Sequence, residues 1–346
     1  MHDAHAGAEA SSPLRRRAPR FRAWFSHTRR PLVRYILRRA ATGVVLVLVL
    51  SSVVFFATAV LPGDAATAVL GQNATPEAVH ALRERMGLNR SVFVRYGEWM
   101  RHLGSGDLGE SITANVPITS IVGVRFRNTF VLALVATFIL VPLSLGLGVL
   151  AGRHPGGLLD RAISASSLAA LSVPEFVTAT VLILLFAVKL RLVPPVSLVA
   201  PGQNPLFHPT ILVLPVVTLV ITGSGYTIRM IRAGVVEVMN ADFVQAARLN
   251  GVGERRILVT YALRNGLAPG IQAVALTLQW LVGGVFIVET VFAYPGIGEG
   301  LVQAVIARDT PYVQAIALVI AALYVAINIL ADVATVLVIP RLRTTQ

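Results

Sequence analysis

The most informative polar stretch of the chain, residues 242–251, reads Asp-Phe-Val-Gln-Ala-Ala-Arg-Leu-Asn-Gly. It predicts a short helix with Asp242 as acidic N-cap, a small-residue centre at Ala246 and Ala247, and a stop at Gly251. After Gly253 a basic helix start, Glu254-Arg255-Arg256-Ile257-Leu258, leads through Tyr261, Arg264 and Asn265 to Pro269. A helix this short is marginal alone in water and must dock on something. Small alanines let backbones approach closely, so the unit suits a rigid knob in a partner's groove; an ordinary helix-turn-helix linker is the other reading. The chemistry in view is mechanical, the transfer of force between proteins.

Bond-making chemistry has little support. Ser224 lies between Gly223 and Gly225, but no His falls in any apolar run to activate it, and His208 precedes the fourth run. No Gly-rich cradle is followed by Lys-Ser or Lys-Thr, so the chain is expected not to hydrolyse ATP, and Gly106 through Gly109 reads as a rigid loop. With no cysteine, disulfides, thiol catalysis, Cys-ligated zinc and iron–sulfur clusters are excluded; the seven His do not pair at metal-ligand spacings. Four polar groups fall in or at the ends of apolar runs, where each needs a partner or a watery cavity. Glu175, after Pro174, faces a translocation path or pairs between helices. Glu289 contacts cargo or caps a neighbouring helix. Asn328 and Asp332, four apart, are expected to make a structural interhelical hydrogen bond.

The elements that position these groups belong in lipid. Of 346 residues 55% are apolar and 14% charged, with a mean hydropathy of +0.72. A hydrocarbon core of about 30 Å needs roughly 20 apolar residues of helix. Six uncharged or nearly uncharged runs qualify: residues 41–61, 129–151, 162–187, 209–228, 267–288 and 311–338. The net charge of +13 would suit nucleic acid if spread over one polar face, but the basic residues cluster between the apolar runs, at membrane surfaces. With the N-terminus inside, inner segments hold 20 Arg and the two short outer segments only Lys189, Arg191 and Arg308. Both termini are therefore expected in the cytoplasm, and the first run is expected to stay in the protein because its leader is too long for a signal peptide.

Four regions follow. Residues 1–30, polar and Arg-rich, read as a disordered tail, either simply solvated or lying on anionic headgroups. Residues 31–61 carry the first membrane helix. Residues 62–128 form an outer segment with helix-forming stretches at 76–85 and 92–103, enough for a lid or a docking scoop. Residues 129–343 hold five more helices and the 229–264 segment. Gly283 and Gly284 favour close helix packing at a pore seam or subunit interface.

Gln245, Ala246, Ala247, Gly251, Ile257 and Pro269 resemble the coupling loop of ABC importer membrane subunits: Glu-Ala-Ala, a Gly four residues on, then Ile and Pro. Gln245 departs from that pattern by replacing Glu. Leu61-Pro62-Gly63-Asp64, Met86-Gly87-Leu88-Asn89, Tyr96, Trp99 and Gly106-Asp107-Leu108-Gly109-Glu110-Ser111 are similar to the outer segment of dipeptide/oligopeptide permeases. So are the run from Glu289 to Gly298 and Arg308-Asp309, Asn328, Asp332 and Pro340-Arg341 at the distal end. The resemblance spans residues 32–343. It implies an all-α polytopic membrane protein with six transmembrane helices, a type I importer permease fold with a cytoplasmic coupling helix and an extracytoplasmic scoop.

The same resemblance implies half of a translocation pathway in a bacterial inner membrane. Its partners would be a homologous second permease subunit, two cytoplasmic ABC ATPases and an extracytoplasmic binding protein; ATP and Mg would sit on the ATPases, with no cofactor on this chain. Coupling would fall on Asp242, Phe243, Gln245, Ala246, Ala247, Asn250 and Gly251, with Arg255 as a secondary contact, and the path on Glu175 and Glu289. Dipeptides, longer peptides, glutathione and nickel chelates are all cargo of similar permeases. The rival, an ion-driven secondary transporter, predicts inverted repeats and charge clusters at the midplane; the sequence has no such repeat, and Glu175 alone is a thin relay.

Overall fold

The computed structural model describes residues 29–60, 75–85, 87, 89–200 and 203–338. Expectations for the N-terminal tail, for the Leu61 to Asp64 turn, for Met86 and Leu88 and for Pro340-Arg341 fall outside those residues. Within them the helices are α1 Arg29–Val60, α2 Pro76–Arg85, α3 Val92–Gly104, α4 Ile118–Arg153, α5 Leu158–Ser172, α6 Glu175–Leu182, α7 Pro209–Met239, α8 Asp242–Leu249, α9 Arg264–Val291, α10 Ile297–Ile306 and α11 Thr310–Val338. A π turn, Ile183–Lys189, prolongs α6, and Glu254–Arg256 with a second π turn, Ile257–Leu263, leads into α9. Among the described residues the β pairing is a lone bridge between Glu110 and Pro117.

Five helices are long and apolar enough to cross a membrane, and a sixth span is possible only as a broken pair. The run at 162–187, expected as one span, is α5 and α6 meeting at 107°. Pro174 has no N–H to continue the ladder and excludes the preceding residue from helical backbone, so Val173 is extended at φ −97°, ψ 124°. Glu175 therefore starts a helix rather than sitting midway along one. The uninterrupted helices also outrun the bilayer: the 36 residues of α4 are about 54 Å long at 1.5 Å per residue. Their ends carry structure beyond the lipid.

Helix α7 is the axis of the bundle. Of its most apolar stretch 72% is buried, against 17% for α1, whose Val44, Val45, Val49 and Val53 are exposed. Hydrocarbon gives helices no hydrophobic reason to associate, so close backbone approach must supply the attraction. Gly148 and Gly152 of α4, four apart, allow it: a Cβ at either would lie 2.7 Å from Ile231 or 2.8 Å from Val235. On the other flank α7 and α9 cross backbone to backbone, and a Cβ on Gly266 would lie 2.7 Å from the Gly234 carbonyl oxygen. Gly283 and Gly284 take no part in these two crossings. A Cβ at Gly283 would meet nothing within 4 Å, whereas one at Gly284 would abut Glu175 and Trp280.

At the bundle's edge α1 packs on α11, where Arg39 and Asp332 pair at 3.1 Å across the two helices. Asp332 thus makes the expected interhelical contact as an ion pair. Asn328 does not: its amide donates to the Tyr324 carbonyl one turn back in its own helix, at 2.8 Å.

Candidate functional site

At one end of the bundle α7 stops at Met239 and the chain folds back as α8, lying across the ends of α4 and α7 and the lead-in to α9. Two α8 residues, Val244 and Ala247, are buried, packed with Ile231, Val235, Met239 and Ile257. Their spacing of three gives one anchored face, and the alanine lets the backbone sit close. The opposite face is exposed: Gln245 and Ala246 are exposed and Leu249 is 90% exposed, while Phe243 and Asn250, also exposed, lie on the flank beside Ala247. Arg255 is exposed beside them.

The ends of α8 are set by local chemistry. Ala241, not Asp242, takes the N-cap position, in extended backbone and with no side-chain cap. Asp242 lies in the first turn, where its charge faces the helix's positive end. At the far end the Val252 N–H donates to the Ala247 carbonyl at 3.0 Å and the Gly251 N–H to the Arg248 carbonyl at 2.9 Å, a Schellman closure. It requires the left-handed backbone of Gly251, φ +76°. Arg248 Nε donates to Glu254 Oε1 at 2.7 Å, latching α8 to the next helix start. The Arg248 guanidinium holds the Glu254 carboxyl below its ordinary value and is itself raised. A short helix that alone would melt is held by one buried face, a glycine closure and a latch, and it can pass force to α4, α7 and α9 together.

Glu289 lies at the other end of α9, and its carboxylate is wholly enclosed, at 0% exposure. Oε1 accepts the Thr129 hydroxyl of α4 at 2.6 Å, and Oε2 accepts the Gly298 N–H at 2.7 Å. Of the two readings for this residue, cargo contact and helix cap, the geometry is that of the cap: the charge sits on the N-terminus of α10. The motif around it is a knot. The Tyr294 hydroxyl donates to the Asn128 carbonyl at 2.8 Å, Asn128 Nδ2 to the Pro295 carbonyl at 2.9 Å, and the Ile297 N–H to Thr129 Oγ1 at 2.8 Å. Burial pushes the Tyr294 hydroxyl well above its ordinary value. A Cβ on Gly296 would overlap the Glu289 carboxylate, which is why only glycine fits there.

Glu175 differs. It is half-buried at the first turn of α6, just past the break, and its Oε2 is shielded yet has no hydrogen-bond partner. The oxygen lies 3.4 Å from where a Cβ of Gly284 would be, five residues before Glu289 in α9. The two glutamates stand on different helices with separate partners, and both lie away from the α8 segment, so the expected path residues and coupling residues form separate sites.

Two polar clusters were not singled out in the sequence. Asp160, 4% exposed, is bound by the Arg232 guanidinium through both oxygens, with Oδ2 at 2.7 Å from Nη2, and by the Gly156 N–H at 2.7 Å. It joins α5 to α7. Asp309, at 0% exposure, caps α11 through the Tyr312 N–H at 3.2 Å and accepts the Ser111 and Thr113 hydroxyls at 2.6 and 2.8 Å. An acidic residue next to a helix start and a Ser-x-Thr pair were visible in sequence, but their partnership spans 198 positions. Among the described residues there is no group of three His, Cys, Asp or Glu able to hold a metal.

Comparison with known proteins agrees with this architecture. Residues 144–344 match the model of binding-protein-dependent transport system inner membrane components, and residues 32–145 match the N-terminal model of such membrane components. A Brucella abortus chain named as a candidate peptide transport system permease protein is 35% identical over 89% of this chain and 98% of its own length. A Sinorhizobium fredii chain named as a probable peptide ABC transporter permease protein is 32% identical over 89% and 99%. A Staphylococcus aureus metal-staphylopine import system permease protein is 29% identical over 90% and 99%. The chain, a helical multi-pass membrane protein throughout its described core, belongs to the family of binding-protein-dependent transport system inner membrane components.

Proposed function

We propose that this chain is one half of the transmembrane pathway of an ATP-driven importer of dipeptides or oligopeptides, working by alternating access. The observation that carries the reading is α8: an eight-residue helix with one face anchored in the bundle through Val244 and Ala247 and with Gln245, Ala246 and Leu249 exposed on the other. Two cytoplasmic ATPases hold ATP and Mg and grip this helix on each half. Closure of the ATPase pair moves α8, and the shared packing of Val244 and Ala247 carries the movement into α7, α4 and α9. A second permease subunit completes the pore, an extracytoplasmic binding protein delivers cargo, and both termini face the cytoplasm. The chain itself performs no ATP hydrolysis.

Within the pathway, Glu175 is the group assigned to the cargo route. Its unpartnered oxygen at a helix break supports this, because a buried carboxylate in a membrane needs a cation, a donor or water. Glu289, spent on capping α10, is assigned to holding the outer hairpin. A second cargo reading, a metal chelate or glutathione, is favoured only by the staphylopine-importing relative.

The test is reconstitution with the partner subunits in liposomes. Peptide uptake is expected to require ATP and to be lost in Gly251→Val with membrane insertion intact, and Glu175→Gln is expected to change which peptides enter without uncoupling ATP hydrolysis. Uptake by the chain alone, or full transport in Gly251→Val, overturns the assignment.

A further inference from the structure

The outer helix α3 has no residue buried in the protein. What holds it is an aromatic contact with α1. Phe93, Tyr96 and Trp99, spaced three apart, all converge on Phe55 and Phe56, with ring centroids 5.3 to 5.9 Å apart. Residues from three successive positions along α3 meet a single turn of α1, so the two helices cross instead of running side by side. With α1 upright in the bilayer, α3 lies along the membrane plane.

Its depth is fixed by a hydrogen bond. The Tyr96 and Ser52 hydroxyls are 2.6 Å apart. Ser52 is seven residues inside the span that ends at Ala59, about 10 Å below its outer end at 1.5 Å per residue. The helix is also divided lengthwise. At 100° per residue Phe93, Gly97 and Met100 fall on one flank, bordered by Arg101, while Arg95, Glu98 and His102 share the other. Phe93 is 78% exposed, and it adjoins Phe56 on an apolar span whose neighbouring Val49 and Val53 are themselves exposed. An exposed aromatic continuous with an exposed apolar stripe of a span, near the level where Trp and Tyr anchor membrane proteins, calls for lipid as its cover.

The geometry points to α3 as an interfacial helix seated in the outer leaflet, with the Phe93 flank among acyl chains and the Arg95 flank toward water. A soluble receptor would have to reach the level of Phe56, inside the apolar span, to cover Phe93. The helix thereby ties the outer segment to the membrane plane, and this assignment is independent of the coupling role of α8.

The chain contains no cysteine, so single cysteines can be labelled cleanly. Phe93→Cys, Gly97→Cys and His102→Cys, each spin-labelled in the full complex in phosphatidylcholine/phosphatidylglycerol nanodiscs with cysteine-free partners, report collisions with oxygen and with a water-soluble nickel chelate. The oxygen-to-chelate ratio is expected to be several-fold higher at positions 93 and 97 than at 102. Gly97 has nothing within 4 Å of an added Cβ, so its variant keeps the fold if Phe93→Cys does not. Equal ratios at all three positions, or chelate-dominated collisions at 93 and 97, overturn the assignment. So does shielding of both that arises only when the binding protein is added, which would give the flank to the receptor.

Discussion

Replacing Gly251 tests whether α8 works as a rigid knob, because the cost of each substitution can be worked from its backbone. Gly251 sits at φ +76°, and an added Cβ would meet nothing within 4 Å, so any loss comes from the backbone and not from collision. A non-glycine L-residue in the left-handed region costs about 1–2 kcal/mol. The helix it closes has eight residues and only Val244 and Ala247 buried beneath it. Fully burying a valine contributes about 1.5–3 kcal/mol, so the penalty is comparable to what holds α8 down. A change of that size shifts a local formed-to-unformed ratio by about 5–30-fold. Asn tolerates the left-handed region, Ala does so poorly, and a β-branched residue is worst. Peptide-stimulated ATP hydrolysis and uptake by the reconstituted complex should therefore fall in the order Gly, Asn, Ala, Val, with subunit assembly unchanged in pull-down. If Gly251→Ala equals the parent chain, or if Asn, Ala and Val variants lose the same amount, the closure is not what sustains coupling.

Three further outcomes follow from other contacts. Arg232→Met leaves Asp160 enclosed without its cation and should cost about 3–5 kcal/mol, seen as a lower melting temperature of the solubilised complex; adding Asp160→Leu should restore most of it, and simple additivity of the two losses would refute the pairing argument. Gly296→Ala drives a methyl into the Glu289 carboxylate and should cut the yield of folded protein, while Gly283→Ala, with open space around it, should not; equal yields would sink the reading of the outer knot. Asp309→Ala removes the cap of α11, worth about 1 kcal/mol, and strands the Ser111 and Thr113 hydroxyls, so limited proteolysis should cut residues 112–116 faster, and an unchanged cleavage rate would show that the tie is not needed.

How far the structure could be read in the sequence depends on the range of the interaction concerned. The spans came from local composition, and α8 from nearest-neighbour rules: its Gly stop, its small centre and its limits are all decided within ten residues. Where a local rule has competitors it misplaces a detail: the pattern favours Asp242 as the cap, but Ala241 holds that position, and the start needs no side-chain cap because Val244 is packed against α7. The break at Pro174 shows a local signal overruled by length, since 26 nearly uncharged residues at 162–187 look like one span whether or not the backbone bends. The remaining misses are contacts of high sequence separation. Nothing near Glu289 in sequence separates cargo contact from helix cap, because Thr129 lies 160 residues away, and nothing near Arg232 shows its pairing, because Asp160 lies 72 residues away. In a membrane protein these distant polar partners matter more than in a soluble one: lipid does not drive helices together, so the glycine crossings and the few enclosed carboxylates decide which helix sits against which. That is also why the two glutamates assigned together to the pathway separate physically. Glu289 has found its partners within the chain, whereas the free oxygen of Glu175 has not, and a carboxylate still lacking one beside the break is the one with capacity left for cargo.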